Sequence, residues 1–154
     1  MLTGLSFDNM YQMGFLVGDV ERAVARFGRE YGVARFRIKQ HSPTIATAHA
    51  YVGAVMIELL QTPKGGSPIY DDYIPSDPDG VRFHHHAYRI EDDSKWNGLL
   101  QTLESGNATY VKTMAMNGGL NAVMIDLRQA IGTFVEYVYL TGEATHYYDD
   151  VPHN

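Results

Sequence analysis

Apolar and polar positions follow two periods along this chain, and the two periods recur in the same order twice. Tyr11-Gln-Met-Gly-Phe-Leu-Val17 has the two-residue period of a strand, with Met13, Phe15 and Val17 on one face and Gln12, Gly14 and Leu16 on the other. Val20, Ala23, Val24, Phe27 and Tyr31 then fall at spacings of three and four, which predicts an amphipathic helix opened by Asp19 and closed by Gly32. Strands are expected at about 34–39, 45–52 and 54–61, with turn signals at His41-Ser-Pro43 and Gly53. The first module reads β-α-β-β-β.

Residues 62–82, rich in Pro, Gly, Asp and Ser as far as Gly80, read as a linker. The order then returns. Phe83–Ile90 is a strand, Asp92-Asp93-Ser94 opens a helix, and Trp96, Leu99, Leu100 and Leu103 repeat the spacing of Val20, Ala23, Val24 and Phe27. Gly106-Asn107 stops that helix. Strands follow at about 109–114, 120–127 and 133–140, with turns at Asn117-Gly-Gly119 and around 130–132. Residues 1–9 read as a lead-in, and 141–154 as a polar, aromatic tail that packs on a partner or frays.

Two half-chains with one element order imply internal duplication. The predicted class is α+β: a single domain, 1–154, of two βαβββ modules at about 10–61 and 83–140. A sheet with a helix on one side leaves its other face uncovered, so two such sheets are expected to curve around an open cleft.

The candidate chemistry comes from charges placed where the pattern calls for apolar residues. Arg82-Phe-His-His-His-Ala-Tyr-Arg-Ile-Glu-Asp92 is strand-like yet holds three histidines, and the apolar runs 54–60 and 132–140 each hold one glutamate, Glu58 and Glu136. Buried carboxylates need a partner. If Val55, Ile57 and Leu59 face the first helix, Met56, Glu58 and Leu60 face the cleft. If Tyr88 and Ile90 face the second helix, His85, Ala87 and Arg89 face the cleft, and His84 and His86 fall on the outer face or at the mouth. In the last strand Phe134, Glu136 and Val138 oppose Val135, Tyr137 and Tyr139. Gln12, Glu58, His85 and Glu136 then occupy the first and last strands of each module. They offer three oxygens and one imidazole nitrogen, with two negative charges to match a divalent cation. That set does not choose among Zn, Mn, Co, Ni, Fe and Mg. Met56 and Phe134 are candidate pocket walls, as are Tyr110, Met114 and Met116. Arg89 either binds a substrate carboxylate or phosphate or forms a structural ion pair.

Composition narrows the rest. The 154 residues suit one domain, and 45% apolar with 19% charged is ordinary for a globular chain. There are no cysteines, which excludes disulfides, thiolate metal sites and a cysteine nucleophile. A net charge of -6 argues against nucleic acid and anionic membrane surfaces as partners. No signal-peptide pattern or membrane-length apolar run is present, so a cytoplasmic protein is expected.

The paired modules, with candidate ligands on the first and last strand of each, resemble the vicinal oxygen chelate superfamily. That family includes glyoxalase I, methylmalonyl-CoA epimerase, extradiol dioxygenases and bleomycin resistance proteins. The resemblance covers about residues 10–140, on Gln12-Met-Gly-Phe-Leu-Val-Gly-Asp19, His85-His-Ala-Tyr-Arg-Ile-Glu-Asp92, Ile57-Glu58-Leu59 and Val135-Glu136-Tyr137. The order Gln-Glu-His-Glu is similar to zinc-type glyoxalase I. Leu16 and Thr62 stand where those enzymes carry the arginine and asparagine that hold glutathione, so a glutathione adduct is not the implied substrate. His85-His-Ala-Tyr-Arg89 is nearer to methylmalonyl-CoA epimerase. The resemblance implies a homodimer acting on a small molecule. The expected activity is a metal-dependent lyase, isomerase or epimerase working through a metal-stabilised enolate, with Glu136 or Glu58 as base. The alternative is a non-catalytic, small-molecule-sequestering protein of the bleomycin-resistance type.

Overall fold

The computed structural model describes residues 5–115 and 118–154. Met116 and Asn117 lie outside the described residues, as does the Met114 side chain. The elements run β1 (Met10–Val17), α1 (Val20–Tyr31), β2 (Arg37–Ser42), β3 (Ile45–Val52), β4 (Val55–Gln61), α2 (Pro68–Asp71), β5 (Val81–Ile90), α3 (Asp93–Ser105), β6 (Tyr110–Ala115), β7 (Leu120–Leu127), α4 (Arg128–Ile131) and β8 (Thr133–Leu140). A short 3-10 turn, Gly142–His146, follows. The class is α+β, with the β-α-β-β-β order present twice. No helix among the described residues is long and apolar enough to cross a membrane.

Two compact units divide the chain. One holds residues 12–84 and 150–154; the other holds the described residues up to Tyr11 together with 85–149.

In the first unit the strands lie in the order β2-β3-β4-β1, with β1 parallel to β4 and the other pairs antiparallel. Asp19 caps α1 by accepting from the Arg22 amide at 2.9 Å, and Gly32 ends it at φ 73°, a left-handed conformation that glycine adopts without strain. The apolar side of α1 (Val20, Ala23, Phe27) packs on Val17, Leu59 and the alternate alanines Ala46, Ala48 and Ala50. Small residues on β3 leave room for the Phe27 ring, which meets Phe15 edge-on at 6.0 Å. Tyr31, at the end of the predicted stripe, is exposed.

The linker is built into this unit. Gly18 donates its N–H to Gly80 O at 3.1 Å, and a Cβ at Gly18 would lie 2.2 Å from Asp77 O. Asp79 forms an ion pair with Arg22. β2 starts at Arg37, later than the pattern suggests, because Arg35 N–H donates to Asn154 Oδ1 at 2.9 Å rather than to a strand.

In the second unit the order is β5-β8-β7-β6, with β5 parallel to β8 and the other pairs antiparallel. Asp92 caps α3 through the Lys95 amide at 2.8 Å, as Asp19 caps α1. Trp96, Leu99 and Leu103 pack on Tyr88, Val123, Ile125, Val135 and Tyr137. α4 occupies the predicted turn before β8 and ends at Gly132.

Each unit is completed by the far end of the chain. Phe7 stacks on Tyr88 at 5.1 Å, and Tyr137 Oη donates to Ser6 O at 2.8 Å. At the other end Tyr51 N–H donates to Pro152 O at 2.8 Å, and the Asn154 N–H donates to Tyr51 O at 2.9 Å. The lead-in and the last five residues are therefore structural parts of the units, where the pattern gives a lead-in and a tail that packs on a partner or frays.

Candidate active site

Strand register decides which side chains share a face. In the first unit Gln12 is opposite Met56, Gly14 opposite Glu58, and Glu58 opposite His49 on β3. Gln12, Met56, Glu58 and His49 thus lie on the face away from α1, as alternation predicts for the first three. Gln12 is 1% exposed, and its Oε1 has no hydrogen-bond partner among the described residues. Glu58 is half-buried, its side chain 16% exposed. Met56 is fully buried.

Glu58 Oε1 lies 3.1 Å from His49 Nε2. Behind that ring, Arg37 Nη2 lies 3.3 Å from His49 Nδ1, and Arg37 Nη1 pairs with Asp150. A guanidinium only donates, so Nδ1 accepts. The neutral ring that satisfies both contacts carries its proton on Nε2 and donates it to Glu58. His49 was not singled out from the sequence. The signal lay in Ile45-Ala-Thr-Ala-His-Ala-Tyr-Val52, where the alanines mark one face and Thr47, His49 and Tyr51 the other.

In the second unit His85 is opposite Phe134 and Ala87 opposite Glu136. His85 is buried, and its Nε2 lies 3.5 Å from Glu136 Oε2. Glu136 is 17% exposed, close to the value for its counterpart Glu58. Phe134 is buried, with the Arg128 guanidinium over its ring at 4.7 Å. Tyr110, on β6 opposite Ile125, packs with the α3-side core and not with the Glu136 face.

Arg89 lies over the Tyr11 ring at 4.2 Å and within 5.2 Å of Tyr148, and no carboxylate pairs with it among the described residues. The two rings hold the cation in place without neutralising it. The structural ion pair considered from the sequence is not the arrangement found.

His84 shares the strand parity of Tyr88, the face opposite His85, as alternation predicts, and it is covered there rather than open to solvent. It is fully buried under α2, with Nε2 2.9 Å from Ile69 O and its ring against Tyr70 and Tyr73. Burial pushes the hydroxyls of Tyr88 and Tyr137 above the usual tyrosine range, the neighbouring Tyr88 adding to the effect at Tyr137. Neither is a base at neutral pH.

Each unit thus carries two of the predicted ligands on one strand face, Gln12 with Glu58 in the first and His85 with Glu136 in the second. Among the described residues no three His, Asp or Glu side chains cluster as a metal-binding group.

An α+β chain with this duplicated order has the glyoxalase-like fold. No family model matches the sequence, and no curated protein is significantly similar. Solved structures are. Methylmalonyl-CoA epimerase from Mycobacterium tuberculosis superposes with a TM-score of 0.63 at 18% identity, over 94% of this chain and 96% of that one. A methylmalonyl-CoA epimerase in complex with methylmalonyl-CoA and NH4+ gives 0.59 at 14% identity, over 89% and 97%. A hypothetical protein from Bacillus halodurans gives 0.62 at 15% identity, over 90% and 99%. At these identities the likeness is one of fold, and it spans nearly the whole of each chain.

Proposed function

We propose that this protein is a divalent-metal-dependent isomerase or epimerase, moving a proton on the carbon beside an oxygen-bearing group of a small anionic substrate. One observation carries the reading. Glu58 and Glu136, equivalent residues on the closing strands of the two repeats, are each half-buried and each meet a buried histidine nitrogen. A carboxylate held that way is a positioned base.

The donor set fits a cation. Gln12 Oε1 is a buried acceptor lacking a donor among the described residues, an arrangement a metal ion would satisfy. Glu58, Glu136 and His85 are the further ligands, drawn from one chain or from two chains of a homodimer. Zn, Mn, Co, Ni, Fe and Mg all suit such a site. When bound, the cation supplies Lewis-acid stabilisation of negative charge on a substrate oxygen. Glu136 or Glu58 takes the proton from carbon and returns it. Arg89 offers an unneutralised guanidinium to a carboxylate or phosphate. Buried Met56 and Phe134, each two residues before a glutamate on the same strand face, are the walls offered to the substrate. Loss of a leaving group after the same proton removal would make the protein a lyase. The epimerase neighbours favour isomerisation, and the ligand described with one of them, methylmalonyl-CoA, is the first compound to try.

The test is solvent exchange. Protein reconstituted with Co2+ or Mn2+ is incubated with methylmalonyl-CoA, and then with other 2-substituted acyl thioesters, in D2O. Metal-dependent deuterium uptake at the carbon beside the carbonyl is expected, falling by about 100-fold or more in Glu136→Gln. Tight binding with no exchange of any compound would overturn catalysis and favour sequestration.

A further inference from the structure

We infer that the C-terminal segment orients Glu58, through a chain of contacts that runs Asp150, Arg37, His49, Glu58. The inference rests on the reading of Glu58 as ligand or base and adds three positioning residues to it. All four side chains belong to one unit.

The geometry is directional. His49 is 1% exposed, and the Arg37 side chain is nearly as buried at 8%. A buried guanidinium needs acceptors for its donors. Asp150 supplies one to Nη1, and His49 Nδ1 supplies one to Nη2. The second contact fixes the imidazole as the Nε2–H form, and that proton points at Glu58 Oε1. Moving its proton to Nδ1 would set two donors against each other at Arg37 and two acceptors against each other at Glu58, and flipping the ring would turn C–H edges to both partners. The carboxylate therefore inherits its orientation from Arg37.

Arg37 in turn depends on the chain end. Asp150 is held because the residues after it are fastened to the end of β3. Tyr51 exchanges backbone bonds with Pro152 and Asn154, and the His153 ring stacks on the Tyr51 ring at 4.6 Å. Arg35 bonds His153 O, and its amide bonds Asn154 Oδ1. The strap uses backbone and edge contacts to deliver one carboxylate, Asp150, to one guanidinium.

Ring-nitrogen NMR of His49 in the 15N-labelled full chain reads the proposal without metal or substrate. The wild type is expected to show the Nε2–H tautomer. Asp150→Asn and Arg37→Met are expected to convert His49 to a tautomer mixture, and Arg37→Lys, which keeps a donor, to restore the Nε2–H form. Co2+ titration should show weakening of about tenfold or more in Arg37→Met and in a chain ending at Asp149, with partial recovery in Arg37→Lys. Asp150 is largely exposed, so Asp150→Asn tests the chain without threatening the fold. A His49 signal indifferent to both Arg37→Met and Asp150→Asn would overturn the inference. A wild type that binds no cobalt, yet shows the His49 tautomer following Arg37 and Asp150, would sink the metal reading and support the chain of contacts.

Discussion

Glu58 illustrates how much depends on what stands behind a single carboxylate. Its strand position puts it on the face away from α1, but His49 and Arg37 decide where its oxygens point. Glu136 has a different neighbour, His85, on a parallel rather than an antiparallel strand. The two glutamates are equivalent in the repeat and inequivalent in their surroundings, as a division between ligand and base would require. Glu58→Gln is therefore expected to cost metal affinity and exchange rate together, measured by titration calorimetry and deuterium uptake.

His41 offers a pH prediction at the same scale. Burial, then the nearby His49 and Lys39, lower its proton affinity below the ordinary value of 6.5, while its Nε2 lies 2.8 Å from Thr47 Oγ1. As pH falls through 6.5 the unfolded chain takes up the proton first. Stability should then decline with falling pH until the folded-state value is passed. Thermal melts between about pH 5 and 7.5 should show that slope in the wild type and a shallower one in His41→Gln.

At the scale of elements, α1 and α3 start alike. Asp19 and Asp92 each accept from the amide three residues on. Replacing either by Ala should lower unfolding free energy by about 1 kcal/mol, read from urea midpoints. Gly18 is more demanding: any Cβ there runs into the Asp77 carbonyl. Gly18→Ala should destabilise by more than the cap variants and should make residues 75–80 newly sensitive to protease.

These elements also show where the sequence was legible and where it was not. Period-2 and period-3.6 patterns placed α1, α3 and the eight strands of the described residues, because helix and sheet each bury one face against the other. The same alternation put Gln12, Met56, Glu58, His85 and Glu136 on the faces away from the helices. His49 was overlooked because its significance needs the β3–β4 register. With Gly53 in the turn, Val52 meets Val55 and His49 meets Glu58. The strap of residues 150–154 was illegible for a different reason. Its partners Arg35, Arg37 and Tyr51 lie about a hundred residues away, and no periodicity links them.

At the scale of the molecule, duplication explains the shared plan of the two units, and the exchanged chain ends explain why neither is a contiguous segment. Residues near the N-terminus complete the second repeat and the last five complete the first. A chain ending at Asp149 should consequently lose stability through Tyr51 and Arg37, while the contacts of Phe7 with Tyr88 remain. Native-state hydrogen exchange should show protection falling at β2 and β3 and holding at β7 and β8. A homodimer, the assembly implied by the family resemblance, is checked by light scattering on the full chain.

The proposed function requires Gln12, Glu58, His85 and Glu136 to bind one divalent cation. Calorimetric titration of the metal-stripped protein with Co2+ tests it most directly. One cobalt per chain is expected, with loss of binding in both Glu58→Gln and Glu136→Gln, although these residues belong to different repeats. Binding that survives either substitution unchanged, or a wild type that takes up no metal, would contradict that requirement.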